Sequence, residues 1–280
     1  MRIIDFHNHY YPPEYVDALK APETKSVVKV TYDAEGNPCL HYPGDYNILV
    51  RGHRDIEYRQ RVLDEHGVTT GLVTFTTPGV HVEAPEIAVE WARTINDAFA
   101  RVVRERRGRF AALATLPLND PAASVRELER AMTTLGLPGA MVFSNVNHVA
   151  LADARYDALW KKANELKAVI YIHPTDPAGV EAMLEYWLMP LVGFLFDTTL
   201  AASKLVFSGV VDRYPDIRWV LTHMGGAIPY LAERLDRGYR AFAECRANIS
   251  RPPSECLRQF YFDTVNFAPA AVRLALDFAG

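Results

Sequence analysis

The sequence predicts an α/β fold on parallel strands, closing as a (β/α)8 barrel of the TIM type. Three observations carry this. Short apolar runs alternate with amphipathic segments seven times in one direction, the pattern of repeated βα units. The runs are apolar almost throughout, as strands covered on both faces are. No G-x-G-x-x-G follows the first strand, so a dinucleotide-binding sheet has no support.

The elements follow in order. "RIIDF" is the first strand, and the break at Pro12 and Pro13 ends it. An irregular stretch then runs over about residues 12–52. In it "SVVKVTYD" and "PCLHYP" flank "AEGN" and read as a hairpin, a small insertion inside one domain of residues 1–280. "RDIEYRQRVLDEHG" is a helix closed by Gly67. "GLVTFTTP", "FAALATLPL", "GAMVFSNV", "AVIYIHP", "IRWVLTHMGG" and "FYFDTV" are the remaining six strands. Between them "APEIAVEWARTINDAFARVVRERR", "PAASVRELERAMTTLG", "RYDALWKKANELK" and "IPYLAERLDRGYRAF" read as helices, and "APAAVRLALDFAG" as a last one. "GVEAMLEYW" through "SGVVDRYP" is expected to be helical in at least two pieces around Pro190. A barrel needs eight strands, and residues 1–280 supply seven, so the eighth is expected to be absent from this chain.

Composition narrows the function. Hydrophobic residues make up 49% of the 280 and charged residues 23%, which supports a sizeable core. A net charge of -4 argues against a nucleic-acid or anionic-membrane surface. The one basic run, "RVVRERRGR" at residues 101–109, reads as the solvated end of a helix. Three cysteines with no C-x-x-C fit a reducing, cytoplasmic setting. The N-terminus shows no signal-like segment. The longest apolar stretch, "WLMPLVGFLF", is expected to be too short to span a bilayer.

Of nine histidines, four sit at strand ends: His7 and His9 in "DFHNH", His173 in "YIHP" and His223 in "LTHMGG". In a barrel these C-terminal ends form the active-site face. Strand side chains alternate, so His7 and His9 share one side with Asn8 opposite. A lone strand-end histidine is more often a hydrogen-bonded core or surface residue than a ligand. Four together suit a borderline divalent metal such as Zn2+. Asp5, two residues before His7, is expected on the same side, where it can orient a ligand or serve as a satisfied interior carboxylate. Asp263 ends the seventh strand and is a further, weaker candidate. His41, His53, His66, His81 and His148 fall in loop-like or surface contexts and receive no role.

These residues resemble the amidohydrolase superfamily, and more narrowly its amidohydrolase-2 (amidohydrolase-related) branch, which holds the aminocarboxymuconate-semialdehyde decarboxylases. The resemblance rests on "DFHNHYYPPEY", "LATLPLNDP", "IHPTDP", "YWLMPLVGF", "LVFSGVVDRYPDIRWVLTHMGGAIPYLAERLD" and "RPPSECLRQFYFDT", in order along the chain. It implies one divalent metal, usually zinc, with His7, His9 and His173 as ligands. It implies that His223 activates metal-bound water and handles protons. Arg234 matches an arginine that reaches a neighbouring subunit's site, which implies a homodimer. Trp187 matches an aromatic lining the pocket. Where that branch carries an arginine for the substrate carboxylate, this chain has Asn47, with Arg51 four residues on. The family's last ligand, an aspartate on the eighth strand, has no counterpart in residues 1–280. A histidine stands at the first ligand position, where resorcylate-type decarboxylases carry glutamate.

The function expected is non-oxidative decarboxylation of a small unsaturated or aromatic carboxylic acid, with no nucleic-acid or membrane partner. The alternatives are a metal-dependent hydrolase of an ester, lactone or amide, a hydratase on the same barrel, or an incomplete barrel that binds metal without turnover.

Overall fold

The computed structural model describes residues 2–43 and 45–280. The chain forms two compact units, Met1–Met141 and Val142–Gly280.

The first unit opens with β1 (Ile4–His9) and α1 (Pro13–Leu19), whose proline sits in the first turn, where no N–H is needed. The insertion holds the expected hairpin and one strand more: β2 (Lys29–Tyr32), β3 (Pro38–Tyr42) and β4 (Asp45–Ile48) form an antiparallel sheet in that order. The turn between β2 and β3 is built on Asp33, whose carboxylate accepts the N–H of Glu35 (3.0 Å) and of Asn37 (2.7 Å). The β4 sequence "DYNI" carries no apolar alternation, which is why it reads as loop. α2 (Arg51–Arg54) and α3 (Ile56–Glu65) follow, α3 capped by the Asp55 carboxylate on the Tyr58 N–H. β5 (Thr70–Thr74), α4 (Pro85–Glu105), β6 (Phe110–Ala112), α5 (Pro121–Thr133) and β7 (Gly139–Phe143) come next. β1, β5 and β6 are parallel neighbours, and Ala114 bridges Ala140 of β7. Phe75, Phe99, Tyr11 and Tyr15 are fully buried in this unit's core.

β7 ends inside the second unit. β8 (Asn145–Val146) and β9 (Val149–Ala150) add a small hairpin that the sequence pattern did not suggest. α6 (Asp157–Glu165), β10 (Val169–His173), α7 (Phe194–Phe207) and α8 (Val210–Arg213) lead to β11 (Arg218–Leu221). α9 (Ile228–Ala241), α10 (Pro253–Leu257), β12 (Tyr261–Phe262) and α11 (Pro269–Ala279) complete it. The sheet order is β7-β10-β11-β12. Thus the seven expected strands are present, as a three-stranded and a four-stranded set. No closed ring of strands forms among the described residues.

Four expectations are corrected. "GVEAMLEYW" is not a helix: only a 3-10 turn at Val180–Ala182 forms, and Tyr186 and Trp187 adopt positive φ. Pro190 does not split the segment after it. It lies in the first turn of a π-helical stretch (Met189–Gly193) that runs directly into α7, where a missing N–H removes no bond. The resulting run, Met189–Phe207, is 19 residues long, so by length and composition it is apolar enough to cross a membrane, contrary to the expectation for this stretch. It carries Asp197, Thr198 and Thr199, all buried. His81, assigned to a loop or surface context, is 4% exposed. Burial in apolar surroundings lowers its pKa from 6.5 to about 4.

Candidate active-site histidines

In the first unit, β1 pairs with β5 with one irregularity. Asp5 faces Gly71, but Asn8 faces Val73, so β1 spends one extra residue between them. The extra residue breaks the alternation expected between Asp5 and His7. The Asp5 carboxylate accepts the Asn8 amide at 2.9 Å, on the side opposite the histidines. Beyond the irregularity His7 and His9 do share a side, with ring centroids 5.0 Å apart at 72°.

His9 is fixed by Thr74 at the end of β5. Its Nδ1 lies 2.9 Å from the Thr74 hydroxyl, whose own hydrogen goes to the Asn8 carbonyl at 2.9 Å. The hydroxyl can therefore only accept from the ring. Nδ1 carries the hydrogen, and Nε2 is the lone-pair nitrogen. Arg59 of α3 donates to the His9 carbonyl at 2.6 Å, tying the strand end to the helix behind it.

In the second unit, His173 ends β10 and is 4% exposed. Its Nδ1 donates to the Pro174 carbonyl at 2.7 Å, which again leaves Nε2 as the lone-pair nitrogen. The rings of Phe143 and Phe194 pack edge-on against it, each at 6.3 Å. The His223 ring lies 5.9 Å away. His223 has φ 52 and Met224 φ 54, left-handed values that cost strain in residues with a Cβ. The glycines that follow have no room for a side chain: a Cβ on Gly225 would collide with the Phe262 ring, and one on Gly226 with the Leu195 carbonyl. That is the physical content of "THMGG".

Asp263, 5% exposed, accepts the N–H of Met224 (2.9 Å) and of Val265 (3.1 Å) and the Tyr171 hydroxyl (3.1 Å). Asp197 of α7 accepts the Ser144 hydroxyl and, at 3.3 Å, the Thr175 N–H just after His173. Burial holds the Asp197 carboxyl above its ordinary pKa. Thr74 and Asp197 escape a sequence reading because their work is done by contacts between distant segments. The only local signal is a polar residue inside or at the end of an apolar run.

The expected substrate residues are placed differently. The Asn47 amide donates to the Tyr11 hydroxyl (2.7 Å) and the Thr77 carbonyl (3.2 Å). Arg51 pairs with Asp55 at 2.9 Å and lies over the Tyr58 ring. Trp187 is 62% exposed. Arg234 is exposed on α9 and makes no ion pair among the described residues.

The chain belongs to the amidohydrolase family, whose model, described as Amidohydrolase, matches residues 4–280. It is 32% identical over 197 residues to a 2-amino-3-carboxymuconate-6-semialdehyde decarboxylase of Dictyostelium discoideum, covering 70% of this chain and 55% of that protein. It is 29% identical to a 6-methylsalicylic acid decarboxylase of Penicillium expansum, covering 100% of this chain and 82% of that one. Among solved structures, a dihydroxybenzoic acid decarboxylase from Polaromonas sp. JS666, with bound manganese and the inhibitor 2-nitroresorcinol, superposes with a TM-score of 0.81. That pair is 27% identical over 100% of this chain and 84% of that one. The chain thus spans little more than half the length of the first relative.

Proposed function

We propose that this chain is a metal-dependent carboxy-lyase that removes CO2, without oxidation, from a small unsaturated or aromatic carboxylic acid. One observation carries the reading. In a family whose compared members are named decarboxylases, His9 and His173 each have Nδ1 engaged as a donor, which readies Nε2 for a metal.

In this reading His7, His9 and His173 hold one divalent ion at the C-terminal strand ends of a barrel of the family's kind, to which residues 1–280 contribute seven strands. Three imidazoles suit zinc, while the manganese of the Polaromonas relative makes Mn2+ the competing ion. When bound, the ion supplies positive charge that polarises the substrate's oxygen atoms. His223 delivers a proton to the carbon that loses CO2, so the C–C bond pair ends as a C–H bond. Asp263 orients His223, and Asp5 steadies β1 through Asn8. Arg51 turns from Asp55 to the substrate carboxylate, an exchange made easy because an exposed ion pair is worth only about 0–1 kcal/mol. Asn47 lines the same side.

A second copy of the chain completes the enzyme by covering the exposed face of Leu191, Val192, Phe196 and Leu200. It brings Arg234 to its neighbour's substrate, beside Trp187. Three cysteines without a disulfide suit the cytoplasm.

The test is release of labelled CO2 from carboxyl-labelled 2,6-dihydroxybenzoate, 6-methylsalicylate and aminocarboxymuconate semialdehyde by ion-loaded protein. Water uptake into a product without CO2 release would overturn the reading in favour of a hydrolase or hydratase. A monomer by sedimentation, with Arg234→Ala as active as the parent, would remove the dimer from it.

A further inference from the structure

We propose that Asp263 is a positioning residue for His223: its carboxylate holds residues 223 and 224 in the left-handed backbone that aims the imidazole. The inference rests on reading His223 as the proton donor.

The stretch is anchored on both sides. Upstream, β11 is paired with β10 and β12. Downstream, the Ala227 N–H donates to the Thr199 hydroxyl at 2.9 Å, and Gly225 and Gly226 lie against Phe262 and the α7 backbone. Between the anchors, two residues with side chains stand at φ 52 and φ 54; the His223 carbonyl accepts the Gly226 N–H at 3.0 Å within the turn, but the Met224 N–H has its acceptor outside it. The Asp263 carboxylate supplies the missing acceptor to the Met224 N–H. It cannot swing away, because the same oxygen also accepts the Val265 N–H, and the other accepts the buried Tyr171 hydroxyl. Its own N–H is held by the Leu221 carbonyl at 3.2 Å, one residue before the loop. The chain therefore spends a buried carboxylate on the shape of a two-residue turn, and the residue whose direction that turn sets is His223.

Asp263→Ala and Asp263→Asn separate positioning from bulk stability. Asn keeps an acceptor for both N–H groups and can donate to the Tyr171 oxygen, so it is the rescue. The readouts are kcat, KM, bound ion and the imidazole resonances of protein labelled with 15N-histidine. The His223 resonance is assigned by its loss in His223→Ala. The Ala variant is expected to lose about 10²-fold in kcat, the scale of a small misplacement, with KM moved by less than about 3-fold. Its bound ion should be retained, and its His223 resonance should broaden or split while the other histidines hold. The Asn variant should keep kcat within about 3-fold and one sharp resonance. An Ala variant with parental kcat and an unchanged His223 resonance overturns the proposal, and so does an Asn variant as impaired as Ala. If the Ala variant fails to fold, Tyr171→Phe removes one of the three bonds. It should still broaden the His223 resonance, and an unchanged resonance there overturns the proposal. The resonance reports ring order whether or not CO2 is released, so loss of the decarboxylase reading would leave this test standing.

Discussion

His7 and His9 stand partly exposed on a strand whose pairing slips by one residue, and the Thr74 hydroxyl at the end of β5 bonds the His9 ring. His173 is 4% exposed, wedged between two phenylalanines and bonded to its own neighbour's carbonyl, with a buried aspartate pinning the chain two residues on. The difference teaches where the precision of each half comes from. Around His173 packing and hydrogen bonds determine the ring in advance, as a preorganised site requires. On β1 the rings stand partly exposed, and the proposed ion would add to their order there.

The sharpest way to break this comparison is to remove ligands one at a time. If the proposed ligand set is right, His7→Ala, His9→Ala and His173→Ala should each lose the ion and with it all measurable turnover. Elemental analysis of the purified variants checks it. Ion retained at the parental level in any of the three would take that residue out of the ligand set. Stripping the ion from the parent sharpens the contrast further. Amide exchange should quicken at residues 6–9 far more than at residues 171–175.

His223→Ala should leave the ion in place and lower kcat by about 10²–10⁴-fold, the range for a positioned acid or base. Loss of the ion in this variant would make His223 a ligand instead. Thr74→Val keeps volume and removes the acceptor that sets the His9 tautomer. Partners of this kind are worth roughly 10–100-fold in metal affinity. Competition with a chelator measures it, and an unchanged affinity would show that β1 needs no such support.

What the sequence makes legible follows the same divide between local and distant causes. Apolar runs, prolines opening α4 and α5, and Gly67 and Gly136 at φ 67 and 73 after helix ends are local signals, and the elements lie where those signals put them. The strand-end histidines are legible for the same reason. The extra residue in β1 is not, because it arises from matching β1 to β5, and it moves Asp5 away from the histidines. Pro190 reads as a break until one knows that a helical run begins beside it. The carboxylates of Asp197 and Asp263 act on loops more than 20 residues away in sequence, beyond what spacing reveals.

The smallest expected effect on turnover concerns a histidine with no ligand role. His81 is as buried as His173, yet burial serves the two differently. Around His173 it goes with a ring whose Nδ1 is bonded to the Pro174 carbonyl, whereas around His81 it penalises the charged form, holding the pKa at about 4 against an ordinary 6.5. The sign for stability follows. Above pH 6.5 neither the folded nor the unfolded chain protonates this ring, and it contributes no pH dependence. Between 6.5 and about 4 the unfolded chain takes up a proton that the folded chain refuses, so stability falls as pH falls through that window, by about 3 kcal/mol in total. Urea unfolding at pH 7 and pH 5 should show roughly 2 kcal/mol of this loss in the parent and much less in His81→Gln, with turnover at pH 7 unchanged. Equal losses in the two proteins would mean that burial does not hold the His81 pKa down in solution, and the contrast with His173 would vanish.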